Sequence, residues 1–154
     1  MIDASRVIEA VDAAFGRCPK PHQFCDPGHC EECAEHNALL TSRDRESLQL
    51  VDISNPGWDP FCFSSPAGMA YYFPVLARFA LGRDGYGDGA YAEQLLFHLY
   101  TGHIHNAFLA FCDASQRQAV AGLLAHLIEC FPSERAGLQT DDELKRAHSV
   151  WLES

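Results

Sequence analysis

Val7, Ile8, Val11, Ala14 and Phe15 recur at three- and four-residue steps, and Gly16 follows as a stop, so the chain is predicted to open with an amphipathic helix. Asp26-Pro27 supplies a cap residue followed by proline at a first helical position, which predicts a second helix over about 27–40. The stretch 47–53 alternates weakly and ends near an Asn55-Pro56-Gly57 turn, so a short β-hairpin or extended arm is expected within 47–63. Ser65-Pro66 repeats the cap-plus-proline signal and opens a helix running to about Leu81, which Pro74 is expected to kink or divide. After the glycine-rich break from Gly82 to Gly89, a helix over about 91–100 turns Leu95, Leu96 and Leu99 inward. Val120, Leu123, Leu124, Leu127, Ile128 and Phe131 form the clearest apolar stripe. Thr140-Asp141-Asp142-Glu143 reads as a capping box that starts a last helix carrying Leu144 and Trp151. The pattern predicts an all-α fold of about six helices in one domain spanning 1–154.

Composition agrees with this picture and adds one anomaly. A chain of 154 residues with 47% hydrophobic and 21% charged side chains is long enough and apolar enough to bury a core. Its formal net charge of −10 argues against nucleic acid or an anionic membrane as partner and favours a protein partner with a basic surface. The first sixteen residues lack a basic start and an uninterrupted apolar run, so no signal peptide is expected and a reducing cytoplasmic location is. No apolar stretch reaches the roughly 20 residues that span a bilayer. The anomaly is the 7 cysteines and 8 histidines. An odd number excludes complete internal pairing, and in a reducing compartment such clusters point to metal or thiol chemistry.

The densest cluster is the Cys/His-rich segment 18–36: Cys18, His22, Cys25, His29, Cys30, Cys33 and His36. Zinc takes four Cys or His donors in a tetrahedron, and Cys30 and Cys33 have the Cys-x2-Cys spacing that supplies two of them. On a helix these two lie about 60° apart at 100° per residue, with His36 about 60° further round. The same face reads His29, Cys33, His36 and Leu40. Cys25 and His22 lie on the preceding loop, where they can fold over the helix start. The predicted zinc ligands are therefore Cys25, Cys30, Cys33 and His36, with His22 and His29 as substitutes. Buried cysteines also serve as small apolar core residues, and a Cys-x2-Cys at a helix start also suits a redox dithiol. The strand and βαβ context of a thioredoxin-like site is missing, as is a second Cys-x2-Cys knuckle.

Other candidates carry weaker signals. His98, His103 and His105 fall in one short run, but sharing a face would need a helix through Gly102. His126 and Cys130 are four apart and able to chelate, although His126 lies off the apolar stripe and is expected at the solvent. The loop 84–89 resembles a calcium loop in part, yet has Tyr86 at the third position and Leu95 at the twelfth. No nucleophile elbow, dinucleotide fingerprint or phosphate loop is present. The aromatic run 55–63, with Tyr71, Tyr72 and Phe73, is expected to enter the core or line a groove.

Taken together, HCEECAEH (29–36), NPGWDPFCF (55–63) and AYYFPVLARFAL (70–81) resemble a family of small, mostly uncharacterised bacterial proteins, a domain of unknown function with HCxEC and NPGWDP motifs. The resemblance covers about 25–131 and implies a coherent bacterial domain without bringing an activity or catalytic residues. The sequence expectation is a non-catalytic cytosolic protein with a structural zinc site, acting as a protein-interaction module. A metal-dependent hydrolase or a thiol oxidoreductase using the same segment is the alternative, and metal sensing or buffering a third reading.

Overall fold

The structure is a computed structural model that describes residues 3–130 and 133–154, with side chains of the last helix described from 142 onward. Among the described residues it contains eight α-helices: α1 (Ala4–Phe15), α2 (Glu31–Ser42), α3 (Leu50–Ile53), α4 (Pro66–Leu81), α5 (Ala92–Tyr100), α6 (Ala107–Phe111), α7 (Ala114–Cys130) and α8 (Ser133–Glu153). Six of these have seven or more residues, in rough agreement with the six or so expected from periodicity, and the short α3 and α6 are additional. Among the described residues no helix is long and apolar enough to cross a membrane.

The expected β-hairpin or arm is absent among the described residues. In its place stand α3 and two short 3-10 turns, Pro56–Trp58 and Pro60–Cys62. The physical reason is side-chain capping. Asn55 Oδ1 accepts the Gly57 N–H at 2.9 Å and Asp59 Oδ1 accepts the Phe61 N–H at 2.8 Å, so each Asx-Pro pair closes a tight turn. Arg43 Nε and Asp52 Oδ2, 3.1 Å apart, hold α3 beside the end of α2.

Helix α4 is the central element. Eleven of its residues, from Gly68 to Ala80, are buried, so it is apolar nearly all round and packs against α1, α5 and α6. Ser65 caps its start by accepting the Gly68 N–H at 3.1 Å, and Gly82 ends it at φ +65°, where a Cβ would strike the Gly89 backbone. Pro74 sits within the helix without dividing it. Helix α1 lays Val7, Val11 and Phe15 onto this core, with Phe15 against Phe73 at 4.7 Å and Asp12 paired to Arg78 at 2.7 Å. Helix α7 packs between α1 and α8. Helix α8 runs through the expected start at Thr140, because it already begins at Ser133; the side chains of the capping box up to Asp141 lie outside the described residues. Trp151 anchors its far end by donating Nε1–H to the Leu99 carbonyl at 2.8 Å.

The 17–30 segment is held against this frame by contacts that need no metal. Phe24 is buried against Tyr72, and its N–H and that of Cys25 both reach Asn37 Oδ1, at 2.8 and 3.1 Å. Lys20 Nζ donates to the Thr41 and Arg43 carbonyls at the far end of α2.

Candidate metal centre

Helix α2 begins later than the Asp26-Pro27 signal predicts. Asp26 Oδ1 accepts the Gly28 N–H at 2.9 Å and closes a turn, and the helix cap is Cys30. Cys30 is extended, at φ −165° and ψ 171°, and its thiol takes the capping role that serine or aspartate usually fills, accepting the Cys33 N–H at 3.3 Å. Two consequences follow. Cys30 and Cys33 meet across the first turn with their sulfurs 3.2 Å apart, and His29, just outside the helix, swings back to place Nδ1 3.4 Å from Cys33 Sγ.

His29, Cys30 and Cys33 therefore bring one donor atom each within 4.8 Å of one another. Zn–S bonds of about 2.3 Å and a tetrahedral angle would put two thiolates about 3.8 Å apart, and thiolate and imidazole about 3.5 Å apart. The His29–Cys33 spacing already fits, and the Cys30–Cys33 spacing fits after a small rotation of the exposed Cys30 side chain. Cys33 is buried, whereas His29 and Cys30 are exposed, so the group faces solvent on one side.

The two thiols are electrostatically unlike. The Cys33 N–H, the Cys33 side chain and His29 hold the Cys30 thiol below its ordinary range. Its bond to Cys30, with burial and the nearby charges of Cys30, Glu32 and Asp26, pushes the Cys33 thiol up to about 11. His29 is raised in turn, first by its hydrogen bond to Cys30 and then by the charge there.

The other predicted ligands occupy different surroundings. Cys25 is buried with Sγ 4.0 Å from the Pro60 carbonyl, and burial, followed by Cys33, pushes its thiol up to about 11. His36 is fully buried in an aromatic slot, 4.6 Å from the Trp58 ring and 5.4 Å from the Phe63 ring, with Nε2 3.2 Å from Glu32 Oε1. His22 is exposed on the loop. Of the four predicted ligands the fold thus joins Cys30 and Cys33, and the substitute His29 joins them in place of Cys25 and His36.

A second group escaped the sequence reading. Asp59 Oδ2 lies 2.7 Å from His98 Nε2 and accepts from Gln94 Nε2 at 2.9 Å, and Cys62 completes a set with one donor each within 4.8 Å. Burial alone would raise the Asp59 carboxyl, but His98, Gln94 and the Phe61 N–H outweigh it and hold the group low. His98 lies in the short histidine run, but its partner is 39 positions away, beyond any local pattern. His126, expected at the solvent, is only 7% exposed; its Nε2 lies 3.2 Å from Cys130 Sγ, beside a cavity of about 550 Å³. No family model, no curated protein and no solved structure matches the chain.

Proposed function

We propose that this is a non-catalytic zinc-binding protein whose ion is held by His29 Nδ1, Cys30 Sγ and Cys33 Sγ at the head of α2. The observation that supports it is the convergence of these three donors within 4.8 Å. Two sulfurs and an imidazole form a soft donor set that suits zinc rather than magnesium or calcium. A fourth position faces solvent, where a donor from a partner protein completes the tetrahedron.

The ion's structural role is local. Phe24, Asn37 and Lys20 already fasten the loop, so zinc ties His29 to the first turn of α2 and sets the shape of the surface there. Asp26 and Glu32 lie within electrostatic reach of Cys33, and with the net charge of −10 they favour a basic protein partner.

The test is metal analysis of protein purified without a histidine tag, for the native chain and a Cys30→Ser/Cys33→Ser variant. The double variant is expected to lose one equivalent of zinc relative to the native chain and to keep its helical circular dichroism. Equal zinc content in the two folded proteins would overturn the reading.

A second reading has its own observation: an exposed, low-range Cys30 thiol at a helix cap, 3.2 Å from a buried, high-range Cys33 thiol. This asymmetry suits thiol–disulfide exchange, in which the Cys30 thiolate attacks a substrate disulfide. Cys33 then displaces the mixed disulfide, so the protein dithiol is oxidised and two substrate thiols are released. Native protein that turns over a disulfide substrate with Cys30, and carries no zinc at these residues, would select this reading over the first.

A further inference from the structure

We propose that Asp59, Cys62 and His98 form a second site for a divalent first-row metal ion, independent of the one at the head of α2. The three residues come from two separate parts of the chain. Asp59 caps one 3-10 turn, Pro60–Cys62, and Cys62 ends it, while His98 stands on α5. Their donors, a carboxylate oxygen, a sulfur and an imidazole nitrogen, lie within 4.8 Å of one another. Oxygen, nitrogen and sulfur donors together suit zinc or cobalt.

The site is prepared around its ligands. Asp59 Oδ1 is fixed by the Phe61 N–H at 2.8 Å. Gln94 bridges the Ile53 carbonyl at 2.8 Å and Asp59 Oδ2 at 2.9 Å, orienting the carboxylate from outside the donor set. The side chains of Asp59 and His98 are 2% and 5% exposed, so the charge has little water to screen it. Cys62 is exposed, and it and His98 border a cavity of about 320 Å³ walled by Phe61, Met69 and Phe108, which gives an ion a way in.

An independent observation marks the same place. The Tyr91 hydroxyl is buried without a hydrogen-bond partner among the described residues, and it lies within electrostatic reach of Asp59 and Cys62. A buried hydroxyl is rarely left so, and a water carried by an ion at Asp59, Cys62 and His98 would supply an acceptor for it. On binding, the Cys62 thiol proton leaves to solvent and His98 takes the neutral tautomer that carries its proton on Nδ1. Sulfur and nitrogen then both face the ion with lone pairs.

The experiment uses cobalt(II) as probe in the full-length Cys30→Ser/Cys33→Ser chain, which removes the first site. A thiolate-to-cobalt charge-transfer band with one equivalent bound is expected. It should vanish when Cys62→Ser is added, with the helical circular dichroism unchanged. Asp59→Asn, which keeps the turn-capping oxygen, should weaken cobalt binding by at least tenfold. Absence of the band in the double variant, or its persistence after Cys62→Ser, would overturn the proposal. Because Cys62 is exposed, its replacement by serine tests the ligand without disturbing the core.

Discussion

His36→Phe separates packing from ligation at the position where the two make opposite demands. In the structure the imidazole is fully buried, stacked at 19° on Phe63 and tilted on Trp58, while Nδ1 has no partner among the described residues. An unpartnered buried nitrogen costs about 1–3 kcal/mol. Phenylalanine removes that cost and keeps both ring contacts. Against this stand the contact with Glu32, whose side chain is 36% exposed, worth about 0.2–1 kcal/mol, and about 1 kcal/mol for one extra ring atom in a tight slot. The variant is therefore expected to lie between about 1 kcal/mol less stable and about 2 kcal/mol more stable than the native chain, by the sum of these effects. For a chain this long each kcal/mol shifts Tm by about 2–4 °C. His36→Ala, which empties the slot, should lose about 2–4 kcal/mol. The assay is urea unfolding followed by tryptophan fluorescence, with Trp58 beside the substituted ring, and zinc analysis of both folded variants. Zinc content should equal that of the native protein. Loss of one zinc from folded His36→Phe, or a destabilisation beyond about 3 kcal/mol, would refute the reasoning and return His36 to the ligand set.

Two further outcomes follow from the same geometry. Iodoacetamide in the presence of a chelator should label Cys30, Cys62 and Cys130 first, and mass spectrometry should find Cys25 and Cys112 protected until unfolding. These last two are buried, with thiols pushed by burial up to about 11 and about 12. Asp52→Asn should cost about 0.2–1 kcal/mol at pH 7 and flatten the acid limb of stability. Burial raises the Asp52 carboxyl, but Arg43 and the Gln49 N–H outweigh it and hold it below its ordinary range. Its contribution is therefore present above the unfolded pKa of about 3.9 and lost as pH falls through the lower folded value. Urea titrations between pH 7 and pH 3 would show the difference between the two chains shrinking toward acid. A constant difference would contradict it.

The long helices were legible because their signals are local. Ser65-Pro66 and the apolar density after it place α4 to the residue, and the stripe around Leu123 and Leu127 places α7. Segment 47–63 was not legible as helical turns, although Asn55-Pro56 and Asp59-Pro60 carry the same signal as Ser65-Pro66. What differs is the sequel. After Pro66 comes a long apolar run that the core can bury, whereas the Asp59-Pro60 pair stops the first turn after three residues. The Asp59–His98 pair was beyond reach for another reason: only the packing of α5 against the rest of the fold sets it, and a lone aspartate and a lone histidine have no periodicity.

The α2 face shows how a correct pattern yields different chemistry. Cys33, His36 and Leu40 are the buried residues of this helix, as their spacing predicts. A face, however, is a line and a tetrahedron is a point. Three residues advance about 4.5 Å along the axis, so His36 reaches an ion at the helix head only if nothing else fills the space beside it. Trp58 and Phe63 fill that space, brought there by the two capped turns of the 55–63 loop. Cys30 meanwhile leaves the helix to cap it, and His29 gains the freedom to fold back. The donor set is therefore decided by where the helix starts, a matter of one side chain accepting one backbone N–H. Moving that start by one turn, with an aspartate cap that wins over Cys30, would be enough to disperse it.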